Sequence, residues 1–551
     1  MKNYFRKKTA QQVFEELANP EGEKLRRHLT VNDLTIFGVA AIVGAGIFST
    51  IGVAAFHGGA GVSLLFVMTG IACAFAGMAY AEFASFVPVS GSAYTYTYVA
   101  FGELPAWLIG WALIMEYSIG SITYAISFSD YLTSFLHNVA HIDLPAWTTT
   151  NFSVAKEAYF ETLKLNLAAP PPQYLEGFRA YQTAPRLFGL PFIVDIPAIF
   201  FVIGIIYIAY RGIKESQIAS MIMVGLKIVT LLMVISIGSF YVSSAHWTPF
   251  LPNGFGGMLK GVSAVFFAYI GFDAISTTSE ECINPQRDIP RAIINSIFIS
   301  MVLYIAVALV ITGMVSHTEL NVGDPLALVF TQYPKLAWLA HIVSASGIIA
   351  IASTLLIYLI GQPRIWLMMS RDGLLPKTFA TIHPRFKTPS VSTICSGFLV
   401  GVPALFLDFN FVTDISSAAT LVAFIMVCGG VIVLHGNPYF EKRQFKTYFI
   451  NAKYVLLPTF LIAFYFFIKQ TPSVFLLENA PMFTFFALWG AMSVWSFRKK
   501  IPLIPTIGLI SCLYMLAQLG WKNWLWLGVW FVVGLFIYLG YGVKNSKLEE
   551  K

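Results

Sequence analysis

Val43-Gly44-Ala45-Gly46-Ile47-Phe48 and Tyr269-Ile270-Gly271-Phe272-Asp273 are the two stretches that decide the fold of this chain. Each lies inside a segment apolar enough to cross a bilayer, and each interrupts it, the first with two glycines and the second with a glycine and an acid. Breaking a helix in lipid strands backbone donors and acceptors at several kcal/mol each, so a break persists only where something else satisfies them. A lone Gly-x-Gly would ordinarily mean close helix packing. Two breaks at the heads of successive groups of five apolar segments point instead to a carrier built from inverted repeats, with its substrate near the bilayer midplane.

The rest of the chain sets those breaks in a membrane. Of 551 residues, 57% are hydrophobic and only 11% charged, against about 25% charged in soluble domains. With a mean hydropathy of +0.71, this excludes an ordinary soluble enzyme, a disordered chain and a nucleic-acid binder. Fourteen segments approach the roughly 20 apolar residues that a spanning helix needs. They lie near residues 34–56, 62–86, 94–121, 192–210, 216–243, 258–280, 292–315, 336–360, 391–407, 415–435, 454–470, 481–497, 502–519 and 524–541. The expected organisation is a polar N-terminal segment (1–32), a first repeat (33–243) with a large external loop (138–190), a second repeat (258–435), additional helices (454–541) and a tail (542–551). Most of the 35 basic residues then fall on one side. The positive-inside rule makes that side, with both termini, cytoplasmic, in the cell membrane. Span one would itself serve as the insertion signal. Residues 10–18 are expected to form a short interfacial helix through Val13, Phe14 and Leu17. The external loop holds the turn-forming run Pro170-Pro171-Pro172 and the sequon Asn151-Phe152-Ser153. The five cysteines show no metal or redox spacing and read as small apolar filler.

Charges at membrane depth are few. Asp273 sits where an ion costs about 2.5–3.5 kcal/mol, so it needs a partner: a cationic substrate side chain, or the second half of span six, which it would cap as an N-terminal acid. Glu116 in span three is a similar case, and Glu82 is expected nearer the cytoplasmic surface. Lys227, in the middle of span five, has no other charge within ten residues on either side. Its centrality argues against snorkelling, so carbonyls or a carboxylate must hold the ammonium. The amides of Ala45, Gly46 and Ile47, at the start of the outer half of span one, suit a substrate carboxylate.

Four segments carry a family resemblance: Leu29-Thr30-Val31-Asn32-Asp33-Leu34 leading to Gly38 and Gly44-Ala45-Gly46-Ile47-Phe48; Pro88-Val89-Ser90-Gly91-Ser92-Ala93-Tyr94-Thr95-Tyr96; residues 279–290, beginning Ser279-Glu280-Glu281-Cys282; and Pro363-Arg364 leading to residues 370–376, Ser370-Arg371-Asp372-Gly373-Leu374-Leu375-Pro376. Over residues 25–435 the chain resembles the amino acid, polyamine and organocation transporter superfamily, and within it the cationic amino acid transporter branch. The resemblance implies an all-α polytopic membrane protein with a LeuT-like 5+5 inverted-repeat fold, broken helices one and six, and about fourteen spans. It implies that the substrate ammonium meets the carbonyls of Ile42, Phe267, Ala268 and Ile270, with Phe267 as an external aromatic lid. It places Lys227 where sodium-coupled relatives hold a cation, bridging carbonyls of residues 40–43 to the hydroxyl of Ser353 or Thr354, so that proton loss frees the bundle. Glu116 is a candidate counter-charge for Lys227. The external loop after span three is longer than the family pattern.

The implied function is secondary active transport of L-amino acids, cationic or small and neutral, by proton symport, with an amino acid exchanger and a non-transporting sensor as alternatives. The implied partners are the amino acid, protons and the lipid bilayer; no cofactor is implied. Against an intramembrane enzyme, there is no His-Glu-x-x-His or Gly-x-Gly-Asp motif. A channel would need a filter-like backbone run or rings of one charge, and neither is evident.

Overall fold

Thr30 opens the first helix. Its hydroxyl accepts from the Asp33 N–H, while the Asp33 carboxylate accepts the Thr30 N–H at 2.9 Å, a reciprocal cap. The computed structural model describes residues 6–7, 29–88, 91–164, 170, 174–212, 217–470 and 477–547. The expected interfacial helix at 10–18 lies outside them, as do Pro171 and Pro172. Helix α1 (Val31–Ile42) stops at Val43, and the chain resumes as a π-helical turn, Gly46–Thr50, running into α2 (Ile51–Gly58). Twelve residues rise only about 18 Å, short of the roughly 30 Å hydrocarbon core, so neither half crosses alone.

Helix α3 (Val62–Phe86) fills the second expected span. The third expected span, 94–121, is instead two helices, α4 (Ser92–Phe101) and α5 (Glu103–Phe135). Gly102, at φ +102°, turns the chain between them. Helix α5 runs past residue 121 because Ser121, Thr123, Ser127 and Ser129, which end the apolar run in sequence, are fully buried against protein. The large loop carries α6 (Phe152–Lys164), α7 (Leu175–Thr183) and a small antiparallel hairpin, β1 (Arg186–Leu187) with β2 (Leu190–Pro191). Its own core is Ala155, Ala180, Ala184 and Ile193. Asn151 is buried; its Nδ2 donates to the Leu407 carbonyl at 3.0 Å and its Oδ1 accepts the Val154 N–H at 2.9 Å, so the sequon side chain serves the fold.

The chain continues through α8 (Ile196–Arg211), α9 (Gln217–Gly238), α10 (Gly254–Leu259) and α11 (Val262–Tyr269). After the break at Ile270 and Gly271 follows a ten-residue 3₁₀ segment, Phe272–Glu281. Such runs rarely exceed three or four residues, and inside a helix they often mark a hinge. Then come α12 (Pro285–Met314), α13 (Pro325–Thr331), α14 (Ala337–Arg371), α15 (Ser390–Ala404), α16 (Phe409–Leu434), α17 (Lys453–Gln470), α18 (Ala480–Arg498), α19 (Leu503–Gln518), α20 (Gly520–Ile537) and α21 (Val543–Asn545). Among the described residues, nine helical stretches are long and apolar enough to cross a membrane, and four apolar helices are shorter. The protein is an all-helical, multi-pass membrane protein apart from the small hairpin.

Packing follows a regular scheme: α3 lies along α12, α5 along α14 and α8 along α15, while the pieces around the first break pack on the pieces around the second. One continuous core joins them, and the large apolar side chains left outside, such as Leu461, Ile462 and Phe536, are on the peripheral helices. The loop after α16 is clamped beneath α3. Arg443 Nη2 meets Glu82 Oε2 at 2.7 Å, with both side chains buried, and the Thr447 N–H donates to Glu82 Oε1 at 3.0 Å. The guanidinium also lies 4.0 Å from the Phe440 ring centre. Removing one partner of such a buried pair costs about 3–5 kcal/mol, because the other charge is left stranded.

Candidate functional site

The two breaks meet backbone to backbone. A methyl group placed on Gly46 would lie 2.3 Å from the Ala268 Cα, and one on Gly271 would lie 2.7 Å from the Ala41 carbonyl oxygen. Neither gap admits a side chain, so glycine is what allows the approach. Gly271 also holds φ +121°, outside the range of L-residues. Gly44 faces a third element, its Cβ position 2.7 Å from Thr354 Oγ1 on α14.

A helix end leaves its last four carbonyls and first four amides without internal partners, and most of the carbonyls at the end of α1 find neighbours here. The Val39 carbonyl accepts the Val43 N–H at 2.8 Å, the Ala40 carbonyl accepts from Lys227 Nζ at 3.2 Å, and the Ile42 carbonyl accepts from the Tyr304 hydroxyl at 2.9 Å. In the second break the Phe267 carbonyl accepts the Ile270 N–H at 3.2 Å. Two carbonyls expected to serve a substrate ammonium, Ile42 and Phe267, are thus already engaged, each with a second lone pair still available. Ala45, Gly46 and Ile47 open the outer half of span one, buried, with their amides at its start. Thr50 Oγ1 stitches that half to α11, lying 2.6 Å from the Gly46 carbonyl and 2.8 Å from that of Ala264. Phe267 is buried with its ring 5.6 Å from that of Tyr124.

Charge is divided across the site. Lys227 is buried on α9, and besides Ala40 it donates to Thr354 Oγ1 at 3.3 Å. Of the two hydroxyls expected there, Thr354 meets the ammonium, while Ser353 Oγ donates to the Ala350 carbonyl at 2.9 Å. Glu116 is placed beside another acid: Glu116 and Asp273, 1% and 3% exposed, lie within electrostatic reach of each other. Among the described residues, Glu116 Oε2 is buried without a hydrogen-bond partner. Tyr117, Tyr124 and Tyr358 sit within reach of both acids, with the Tyr358 ring 5.0 Å from each of the other two. The arrangement offers helix-end amides, carbonyls, two carboxyl groups and phenol hydroxyls around the breaks, with the Lys227 ammonium bonded to the end of α1. Sequence reasoning missed Tyr304 and the tyrosine ring, because nothing in the spacing separates them from the other tyrosines among 25.

The family model described as amino acid permease matches residues 29–492, and a second, the C-terminus of AA_permease, matches residues 500–546. The chain is 34% identical over 548 residues to the branched-chain amino acid permease BcaP of Bacillus subtilis, covering 99% of each. It is 33% identical over 551 residues to the methylthioribose transporter of the same organism, covering 100% of each. To the vacuolar cationic amino acid transporter 4 of Arabidopsis thaliana it is 28% identical over 604 residues, covering 97% of this chain and 94% of that one.

Proposed function

The chain belongs to the amino acid permease family and is a membrane transporter of amino acids rather than an enzyme; on that premise we propose that it moves L-amino acids by alternating access, driven by protons, at the junction of the two breaks. The observation that carries this reading is the abutment of Gly46 on Ala268 and of Gly271 on Ala41. Two severed helices held this close present opposite ends to one small volume. A carboxylate is met by the amides of Ala45, Gly46 and Ile47, helped by the helix dipole. An α-ammonium is met by carbonyls of Ile42, Phe267, Ala268 and Ile270. Backbone recognition of this kind reads the zwitterion and leaves the side chain to other groups.

The proposed architecture is a LeuT-like 5+5 inverted repeat with about fourteen spans, both termini cytoplasmic, in the cell membrane. In support, α3, α5 and α8 each pack on the helix one repeat later, α12, α14 and α15. Proton coupling is assigned to Lys227, whose bonds to Ala40 and Thr354 tie α1 and α9 to α14. A protonated amine holds the three together, and loss of the proton releases α1.

Relatives are named for branched-chain amino acids, methylthioribose and cationic amino acids, so the side-chain preference has to come from this site. Asp273 and Glu116 favour a cationic side chain, because a buried acid pair gains most from an ammonium or guanidinium between them. The test is competition by the twenty amino acids for uptake into liposomes holding the purified protein, with and without a pH gradient. Arginine or lysine should compete best, and Asp273→Asn should weaken them at least about tenfold while sparing alanine. A preference for branched-chain substrates that survives Asp273→Asn assigns the acids to proton handling instead. Absence of uptake for all twenty, with binding intact, would favour a sensor.

A further inference from the structure

At the end of the molecule opposite the outer halves of the broken spans, the last described residues do not hang free. They bind a buried acid. Glu103, the first residue of α5, is 1% exposed. Its Oε1 accepts from the Tyr538 hydroxyl at 2.8 Å, and its Oε2 accepts from the Tyr98 hydroxyl at 3.0 Å and from Ser546 Oγ at 2.5 Å. Ser546 is itself 2% exposed. One residue on, the Lys547 N–H donates to the Asp372 carbonyl at 3.2 Å, while the Asp372 carboxylate accepts from the Tyr94 hydroxyl at 2.6 Å. The backbone passes so close over Gly373 (φ +81°) that a Cβ there would lie 2.0 Å from the Asn545 carbonyl. From the other terminus, the Arg6 carbonyl accepts the Glu103 N–H at 2.9 Å, and Lys7 Nζ donates to the Ala100 carbonyl at 2.7 Å.

Tyr94 and Tyr98 both belong to α4, and the first residue of α4 touches the broken span. Ser276 Oγ, in the 3₁₀ segment, lies 3.0 Å from Ser92 Oγ and 2.6 Å from the Asp273 carbonyl. A continuous set of hydrogen bonds and one short helix therefore leads from Ser546 and Tyr538 through Glu103, Tyr98 and Ser92 to Ser276 and the backbone of Asp273.

We propose that residues 538–547 are an autoinhibitory strap on the inner gate: docked on Glu103 and Asp372, they hold α4, and through it the 3₁₀ half of span six, in the closed position. The inference rests on the alternating-access reading above. Its energetic logic is that of a buried carboxylate supplied with hydroxyl donors from the tail. Undocking leaves Glu103 short of two donors, so the strap stays down until the gate moves or a competing group binds the tail. Helix α20 is fixed to α5 independently of the strap, where Trp107 and Trp111 donate to the carbonyls of Gly534 and Trp530, each at 2.9 Å. With α20 anchored in this way, the contacts of residues 538–547 with Glu103 and Asp372 are what hold α4.

The test is the rate of maleimide labelling of Thr277→Cys, in the 3₁₀ segment, in a background carrying Cys282→Ala and Cys395→Ser, on purified protein without substrate. Deleting residues 543–551 should speed labelling about tenfold or more, the scale of losing hydrogen bonds to a charged group. The full-length pair Tyr538→Phe with Ser546→Ala should do the same, which keeps the test valid if the deletion fails to fold. Ser92→Ala alone should also speed labelling, and adding it to the pair should bring no further gain, as expected for groups acting through one network. Labelling rates within about twofold of the parent in folded tail variants, or tail and Ser92 effects that simply multiply, would overturn the strap. Because no substrate is present, an error in the substrate assignment leaves this result standing, whereas uptake assays alone judge that assignment.

Discussion

At Lys227 an ammonium is shut away from water and bonded to a carbonyl at the end of one helix half and a hydroxyl on another helix. Its protonation state therefore bears on how α1 sits against α14. Lys227→Ala should abolish the pH dependence of uptake while amino acid binding, read by thermal shift, stays within a few-fold of the parent. Uptake that still tracks the pH gradient in that variant would remove Lys227 from the coupling role. The glycines make a separate prediction. Gly271→Ala must place a methyl 2.7 Å from the Ala41 carbonyl at φ +121°, a strain of about 1–3 kcal/mol before any clash, so uptake should drop at least about tenfold. Gly225→Ala, at a position with open space around its Cβ, should transport like the parent; equal loss in both would show that the first effect is not local. Gly44, Gly46, Gly271, Asp273 and Lys227 were legible in the sequence because a glycine or a charge in an apolar run is conspicuous. Tyr304 was not: a tyrosine in a membrane span is ordinary, and only the fold brings its hydroxyl to Ile42.

Elements were legible where hydropathy and burial coincide and obscure where they diverge. Helix α3 begins after the turn that Gly59 makes at φ +58° and ends at Val87, the residue held out of the helical conformation before Pro88, so its bounds coincide with breakers visible in the sequence. Span three failed because the hydropathy signal runs through Gly102 and then fades at serines and threonines that α5 buries against protein rather than lipid. The long loop between α5 and α8 has structure of its own, with Tyr159 and Tyr181 stacked at 4.4 Å, which composition does not reveal. On that side, α13 starts at Asp324, whose carboxyl is pushed up to about 7 by burial, opposed by a hydrogen bond from Ser134. A carboxyl raised in the folded protein keeps a proton that the unfolded chain, near 3.9, gives up, so its cost to stability grows as pH rises from about 4 to 7 and is complete above. Asp324→Asn should therefore melt roughly 1–3 °C above the parent at pH 8 and level with it at pH 4.5, read by thermal unfolding in detergent. A gain of equal size at both pH values would mean that charge is not the cause.

For the whole molecule, the division of labour follows from packing. Helices α5, α14 and α16 form a pillar beside the breaks, and the broken pieces are joined to it by specific bonds: the Tyr131 hydroxyl of α5 donates to the Phe48 carbonyl at 2.6 Å, Ser417 Oγ of α16 donates to the Ser263 carbonyl at 3.2 Å, and Lys227 of α9 bridges the end of α1 to Thr354 of α14. A packed scaffold beside a twice-interrupted bundle suits the alternating-access mechanism proposed above, in which the substrate would close the gap between the severed ends. Composition alone disclosed the membrane class, and two interrupted runs disclosed the transport reading. The packing of α3 on α12, α5 on α14 and α8 on α15, and the tail docked on Glu103, needed coordinates, since neither leaves a periodic trace in the chain. In the proposed mechanism the backbone at Ala45, Gly46 and Ile47 and at Ile42, Phe267, Ala268 and Ile270 recognises both ends of a zwitterion. This recognition is tested most directly by measuring how well the best transported amino acid, its α-carboxamide and its N-acetyl derivative each compete for uptake in liposomes. The account predicts that both derivatives lose at least about a hundredfold in potency, the loss of a charge-assisted contact at one end; derivatives that compete as well as the parent amino acid would contradict it.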